Sequence, residues 1–392
     1  MKIGVYSICK NEIKNIEKWL ETIVEADEVV IVDTGSTDGT YEILQKAQGQ
    51  YSNIKLFQKV FEDFHFGDAR NYSLSLVSDE LDILFPSDCD ELMTAGWSSA
   101  IKQLAAEHPD FTQLDLTCVS LNSNLSHEIN NPNLWGSYQK FHRAKGFKWE
   151  GRIHEYLVSS FGYQKIYSDR SRLWCIHNWI SRDEKDSRLH YLDFLKKAIK
   201  EDPYNPNYYY WAYAELRNWY SIEAANQMVA RGYLAMTAVK GIDRFHGFKR
   251  PYDFMYQGLF ARWMSEIAQT NEETIYYLTK AIQMSPSIRD NYIRLIEELC
   301  YQHRTIQARN YLEKMLSDTK YVPSSVRDGE MQDERQDIRY YNWGEWYCLG
   351  MITSWEGKYA EAKEYFEMVL RKANENDKEW AQGLINFCDS KL

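Results

Sequence analysis

The chain has 392 residues, 44% of them hydrophobic and 15% aromatic, which excludes a disordered chain and is too long for one ordinary core, so two domains are expected. Its formal net charge of −11, from 46 Lys+Arg against 57 Asp+Glu, argues against a general nucleic-acid surface. Seven scattered cysteines without a Cys-x-x-Cys pair indicate neither a disulfide framework nor a zinc knuckle, so buried free thiols in a reducing cytosol are expected.

In chain order, the opening "MKIGVYSICKNE" turns polar too early for a signal peptide, and no apolar run reaches the roughly 20 residues of a membrane helix. A soluble, cytoplasmic protein without membrane attachment is expected. "IGVYSI" (3–8) reads as a strand, followed by helical spacing from Glu12 through Ile23. "EVVIVD" (28–33) is a second strand, and "STDGTYEILQKA" (36–47) opens a second helix, with Ser36, Thr37 and Asp38 available to cap its first turn. "NIKLFQ" (53–58) is a third strand, "DARNYSLSLV" (68–77) a helix, and Leu81 begins a fourth strand. Strands alternating with helices predict a largely parallel α/β sheet that binds ligands at the carboxyl ends of its strands. From about 111 to 177 the pattern becomes β-rich and irregular, as a second half of the same domain. After about residue 183 the chain is helical almost throughout, and Trp346, Leu349 and Gly350 followed by Ala362 and Phe366 fit the tetratricopeptide pattern, with Thr353 where the pattern prefers Tyr.

Chemistry concentrates at a few places. In "LDILFPSDCDELM" (81–93) Asp88 and Asp90 follow a buried strand without a nearby cation, as two carboxylates able to approach one hard metal ion shared with substrate phosphates. Cys89 between them should point inward. Asp33 ends the second strand, where it either accepts from a base or ribose or caps its own turn. Arg70 in "FGDARN" is either a phosphate partner or the ion-pair partner of a nearby acid such as Asp88. Lys140, Arg143, Lys145, Lys148 and Arg152 form a basic cluster suited to a diphosphate or to an acceptor's phosphates. Glu155, next to His154, is a general-base candidate. His177 closes the β-rich part on a strand.

The segments "SICKNEIKNIEKWLETI", "EVVIVDTGSTDGT", "FGDARN", "PSDCDE", "GRIHE" and "IHNW", in that order, resemble family 2 glycosyltransferases of the GT-A fold. The chain is similar to soluble bacterial and phage members with tetratricopeptide-like helices after the catalytic domain. The resemblance implies a GT-A catalytic domain over 1–183 and an all-α tetratricopeptide-like domain over 184–392. It implies that Ser7, Asn11 and Asp33 hold the nucleotide of a UDP-sugar, with Arg70, Asp88 and Arg152 near the donor. Asp88, Asp90 and His177 would bind Mn2+ or Mg2+, and Glu155 would act as base in an inverting transfer to an acceptor hydroxyl or thiol. Thr34 stands where the family's "VDDGS" segment has its second Asp. The expected acceptor is a peptide or protein, or a glycan, with the helical half shaping acceptor binding or self-association into a homo-oligomer. A phage-type enzyme acting on hydroxymethylated DNA bases is the alternative, and a non-catalytic helical scaffold with a disused transferase domain is a remote one.

Overall fold

Strands β1 (Ile3–Cys9) and β2 (Glu28–Asp33) carry apolar side chains on both faces, which suits the centre of a covered parallel sheet. Val5, Val29 and Ile31 enter a core that also takes Trp19 and Ile23 from α1 (Ile16–Ile23) and Leu44 from α2 (Thr40–Gln50). Tyr6 and Val30 face the other way, onto Leu81 and Leu84. The computed structural model describes residues 1–121, 135–160, 162, 164–167, 172–178, 190–237, 253–319 and 339–392.

β1 pairs in parallel with β2 and with β4 (Ile83–Pro86), and β2 pairs in parallel with β3 (Ile54–Gln58). Beyond β4 the sheet is mixed rather than parallel. Its order is β3-β2-β1-β4-β7-β6-β11-β5, where β7 (Trp135–Arg143) is antiparallel to both β4 and β6 (Gln113–Leu121). β11 (Trp174–Asn178) runs parallel to β6, β5 (Glu91–Met93) closes the edge antiparallel to β11, and β10 (Lys165–Tyr167) joins β6. A separate hairpin is made by β8 (Phe147–Glu150) and β9 (Tyr156–Ser159). The helices α3 (Phe66–Leu74) and α4 (Trp97–Glu107) complete the α/β part.

Two expectations need correction. Helix α2 starts at Thr40, not Ser36, because Gly39 adopts a left-handed φ of 99°; Asp38 does accept from Thr40 N at 3.0 Å in the first turn, while Ser36 and Thr37 bond across to Asn11 of the β1–α1 loop. Cys118 and Cys175 form a disulfide where free thiols were expected, because the parallel pairing of β6 and β11 sets them opposite each other with Cα atoms 4.6 Å apart. The other five cysteines are buried and free.

The chain divides into two units, Met1–Ala198 and Ile199–Leu392, and the expected boundary at 183/184 lies outside the described residues. The division falls inside α5 (Tyr191–Glu201). The second unit is a run of helical pairs: α6 (Pro206–Trp219) with α7 (Ile222–Thr237), α8 (Asp253–Ile267) with α9 (Asn271–Met284), and α10 (Arg289–Tyr301) with α11 (Thr305–Asp318). α12 (Arg339–Trp355) and α13 (Tyr359–Lys372) form a further pair, followed by α14 (Glu375–Asp389). The tetratricopeptide pattern has a plain physical meaning here: Ala362 and Phe366 are buried, and a Cβ on Gly350 would lie 2.5 Å from the Phe366 ring. No described helix is long and apolar enough to cross a membrane.

Candidate functional site

The β4 strand ends at Pro86, and the turn after it is held from several sides. The indole of Trp19 donates to Ser87 Oγ at 2.9 Å, and the Asp88 amide donates to the carboxylate of buried Glu91 at 3.1 Å. Cys89 turns inward, 3.8 Å from Ser7 Oγ, and its thiol is pushed well up by a hydrogen bond to Cys9 and by burial. That inward turn leaves Asp88 half-buried at the surface of the site, while Asp90 is buried with its Oδ2 3.4 Å from His177 Nε2. His177 arrives on β11, opposite Glu91 of β5.

Helix α3 supplies the cation. Asn71 clamps the backbone of Trp149 on β8: its amide donates to Trp149 O at 2.8 Å, and Trp149 N donates to its Oδ1 at 2.8 Å. One residue earlier, the Arg70 guanidinium lies 5.0 Å from the centroid of the Trp149 ring. Its Nε donates to Glu155 Oε1 at 2.5 Å, and its Nη2 to Asp88 Oδ1 at 2.7 Å. Burial opposes the Arg70 charge, but Asp88 and Glu155 more than offset it, so its proton affinity is raised. Behind this bridge, Trp149 Nε1 donates to Tyr6 Oη at 2.9 Å and Tyr6 bonds His142 Nε2 at 2.9 Å.

The structure therefore brings Arg70, Asp88 and Glu155 into one ion-pair bridge and joins Asp90 to His177. The remaining residues proposed for the donor lie differently. Ser7 is fully buried, and its hydroxyl donates to Ile8 O at 3.3 Å. Asn11, with a left-handed φ of 55°, pins two loops: its amide donates to Ser36 Oγ and its Oδ1 accepts from Thr37 N. Asp33 accepts from the amides of Gly35 and Ser36 and from Gln58, so it caps its own turn. Arg152 pairs with Asp63 at 2.8 Å and donates to Phe64 O. Among the described members of the basic cluster, Arg143 donates to Phe111 O and Pro109 O and Lys148 pairs with Glu150, while the Lys140 side chain lies outside the described residues.

Glu91, Trp149 and Tyr6 were not singled out in the sequence. Glu91 has a local signal, since a third acid follows the D-x-D pair. Trp149 and Tyr6 have none, because their roles depend on partners 79 and 143 residues away.

Among the described residues no three His, Cys, Asp or Glu side chains are gathered in a ready-made metal cage. The donor chemistry of Asp88, Asp90 and His177, two carboxylates and an imidazole, nonetheless suits a manganese or magnesium ion that completes its shell with substrate phosphates. Four carboxylates, Asp88, Asp90, Glu91 and Glu155, share this corner with Arg70 and His177, so a diphosphate entering alone would meet repulsion that a divalent cation would relieve.

Residues 5–168 match the family model described as Glycosyl transferase family 2. No curated protein matches the chain at a significant level. Solved structures similar to it include S. aureus TarS 1–349, at 15% identity over 85% of this chain and 93% of that one, TM-score 0.34. The mannosyltransferase PcManGT from Pyrobaculum calidifontis, in complex with GDP-Man and Mn2+, is 18% identical over 72% of this chain and 84% of that one, TM-score 0.35. YrrB, a TPR protein with an unusual peptide-binding site, is 14% identical over 53% of this chain and 86% of that one, TM-score 0.33. Likenesses with TM-scores this low support no inference about substrate. The match thus marks residues 5–168 as a Glycosyl transferase family 2 domain.

Proposed function

We propose that the protein is a metal-dependent, inverting glycosyltransferase that moves a sugar from a UDP-sugar to a hydroxyl or thiol of a peptide, protein or glycan acceptor. Residues 1–183 would be its catalytic domain and 184–392 its helical domain, which would shape acceptor binding. The observation that carries the reading is the Arg70 bridge between Glu155 and Asp88, beside the Asp90–His177 pair.

Arg70 bonds one oxygen of Glu155, Oε1, which anchors the carboxylate and would leave Oε2 to take the acceptor proton. The same guanidinium sits where the donor's diphosphate would compete with Asp88 for its Nη2. Donor entry would thus release Asp88 to join Asp90 and His177, while Arg70 keeps its hold on Glu155. A bound Mn2+ or Mg2+ would supply Lewis-acid neutralisation of charge on the departing diphosphate. Among the basic side chains that suggested a DNA acceptor, Arg152, Lys148 and Arg143 are engaged by Asp63, Glu150 and backbone carbonyls, which favours the peptide or glycan reading over the DNA one.

The test is a panel of sugar nucleotides scored for nucleoside diphosphate release with peptide, glycan and hydroxymethylated-DNA acceptors, with Mn2+ or with chelator. Turnover should need the metal and disappear in Asp90→Ala. Unaltered turnover in that variant would remove Asp90 from the site.

A further inference from the structure

The residue before Glu155 has an uncommon backbone conformation. His154 adopts a left-handed φ of 50°, a region uncommon for residues that carry a side chain, although His enters it more readily than most. The turn that leads to it is fixed onto the start of α3: Phe66 N donates to Arg152 O at 2.9 Å, and Gly67 N to Gly151 O at 3.1 Å. Ile153 is buried, so its side chain anchors the middle of the turn. With residues 151–153 tied down on the helix that carries Arg70, the direction of Glu155 depends on the one left-handed step at 154.

The His154 ring is held from outside the loop. Its Nε2 is hydrogen-bonded to the hydroxyl of Tyr191, and the two rings meet edge to face with centroids 5.6 Å apart. Burial holds the imidazole down to about 4, so it is neutral near pH 7 and accepts the Tyr191 proton. Tyr191 opens α5, and the same face of that helix is fastened one and two turns further on. Phe194 packs edge to face on Phe64 and Phe66, and Lys197 pairs with Asp63 at 2.8 Å. Asp63 in turn holds Arg152 of the 151–155 turn, so α5 grips that turn at both ends.

We propose that His154 is a positioning residue for the transfer step: its left-handed turn, locked by Tyr191 of α5, aims the Glu155 carboxylate at Arg70 and at the acceptor. The inference rests on Glu155 being the base. Helix α5 then has a task beyond connecting the two units, because it completes the base loop.

The experiment measures kcat and KM for His154→Ala, His154→Asn, Tyr191→Phe and Glu155→Gln in the full chain, using the donor and acceptor found by the panel. UDP with Mn2+ serves as the donor-binding probe in calorimetry. His154→Ala should lose kcat about 100-fold, as for a reacting group displaced by roughly an ångström, with the UDP dissociation constant unchanged. His154→Asn, which tolerates the left-handed conformation, should recover part of that loss, and Tyr191→Phe, which keeps the ring packing, should lower kcat but not UDP affinity. If Glu155→Gln is inactive while His154→Ala and Tyr191→Phe turn over like wild type, the positioning role is overturned. If UDP affinity falls in step with kcat, His154 only supports the fold and the inference fails. An active Glu155→Gln would instead sink the assignment of the base, and this inference with it.

Discussion

Lowering the pH from 7.5 to 4.5 should destabilise the N-terminal unit through one buried imidazole, His142. Its ring is fully buried on β7, and its protons can be assigned from its partners. Nδ1 bonds Arg143 O at 2.7 Å and must donate, so Nε2 is the bare nitrogen that accepts from Tyr6 at 2.9 Å. A second proton on Nε2 would face the Tyr6 hydroxyl proton and a fully buried site. Burial accordingly lowers the His142 pKa from 6.5 to about 4, despite the carbonyl of Arg143, which favours the charged form. The sign follows from linkage. Above 6.5 neither the folded nor the unfolded chain protonates this ring, and the full stability is present. As the pH falls from 6.5 toward about 4 the unfolded chain binds a proton that the folded one refuses, and stability is lost. At ~1.4 kcal/mol per tenfold change in proton affinity, the whole loss is about 3 kcal/mol. His154 has its pKa lowered to about 4 as well, so the total acid response mixes the two rings. Urea unfolding of wild type and His142→Gln across the pH range isolates one of them, because His154 and the carboxylates cancel in the difference. The stability advantage of wild type should shrink by about 2.5 kcal/mol between pH 7.5 and about pH 4.5. A gap that stays constant would refute the buried neutral ring and the proton assignment of the Tyr6–His142–Trp149 chain.

Two further outcomes follow from the packing. Gly350→Ala places a Cβ 2.5 Å from the Phe366 ring, so the helical unit should lose about 1–3 kcal/mol of stability, read by thermal melting, while UDP–Mn2+ affinity stays as in wild type. Arg70→Met leaves the partly buried Glu155 carboxylate facing Asp88 without its cation, which should cost about 3 kcal/mol in urea unfolding and stop transfer; a stable, active Arg70→Met would show the bridge to be incidental.

Much of the α/β part was legible because its signal is local. "EVVIVD" is buried at every position, as a run of apolar residues with no polar alternation predicts for a strand covered on both faces. What escaped depends on distant partners. Ser36 and Thr37 have the composition of a helix cap, yet their atoms bond Asn11, about 25 positions back along the chain, and only Asp38 accepts from the first turn of α2. Cys118 and Cys175 are 57 residues apart in sequence, and only the register of β6 on β11 makes them neighbours. The basic cluster looked convergent because charges were counted along the chain. In the structure Arg143 turns to the carbonyls of the 109–111 loop and Arg152, after the hairpin's Gly151, turns to Asp63.

The acidic turn after β4 shows how far a sequence can carry a site. Asp88 and Asp90 were visible as two acids without a local cation, and the cation they lacked was visible too, 18 residues earlier, as Arg70. Two readings of Arg70 were open, phosphate partner or ion-pair partner of Asp88, and they are not exclusive. In the structure its guanidinium holds Asp88 with one nitrogen and Glu155 with another, against a buried background that makes an unpaired charge costly. A single cation between two carboxylates leaves negative charge in surplus, and Asp90 and Glu91 add to it. Such a corner is stable only with further positive charge or with Arg70 held firmly in place. The Asn71 clamp, the Trp149 ring and the Tyr6–His142 bond behind it supply that hold. Those supports come from four separate strands and helices, so no stretch of sequence displays them together.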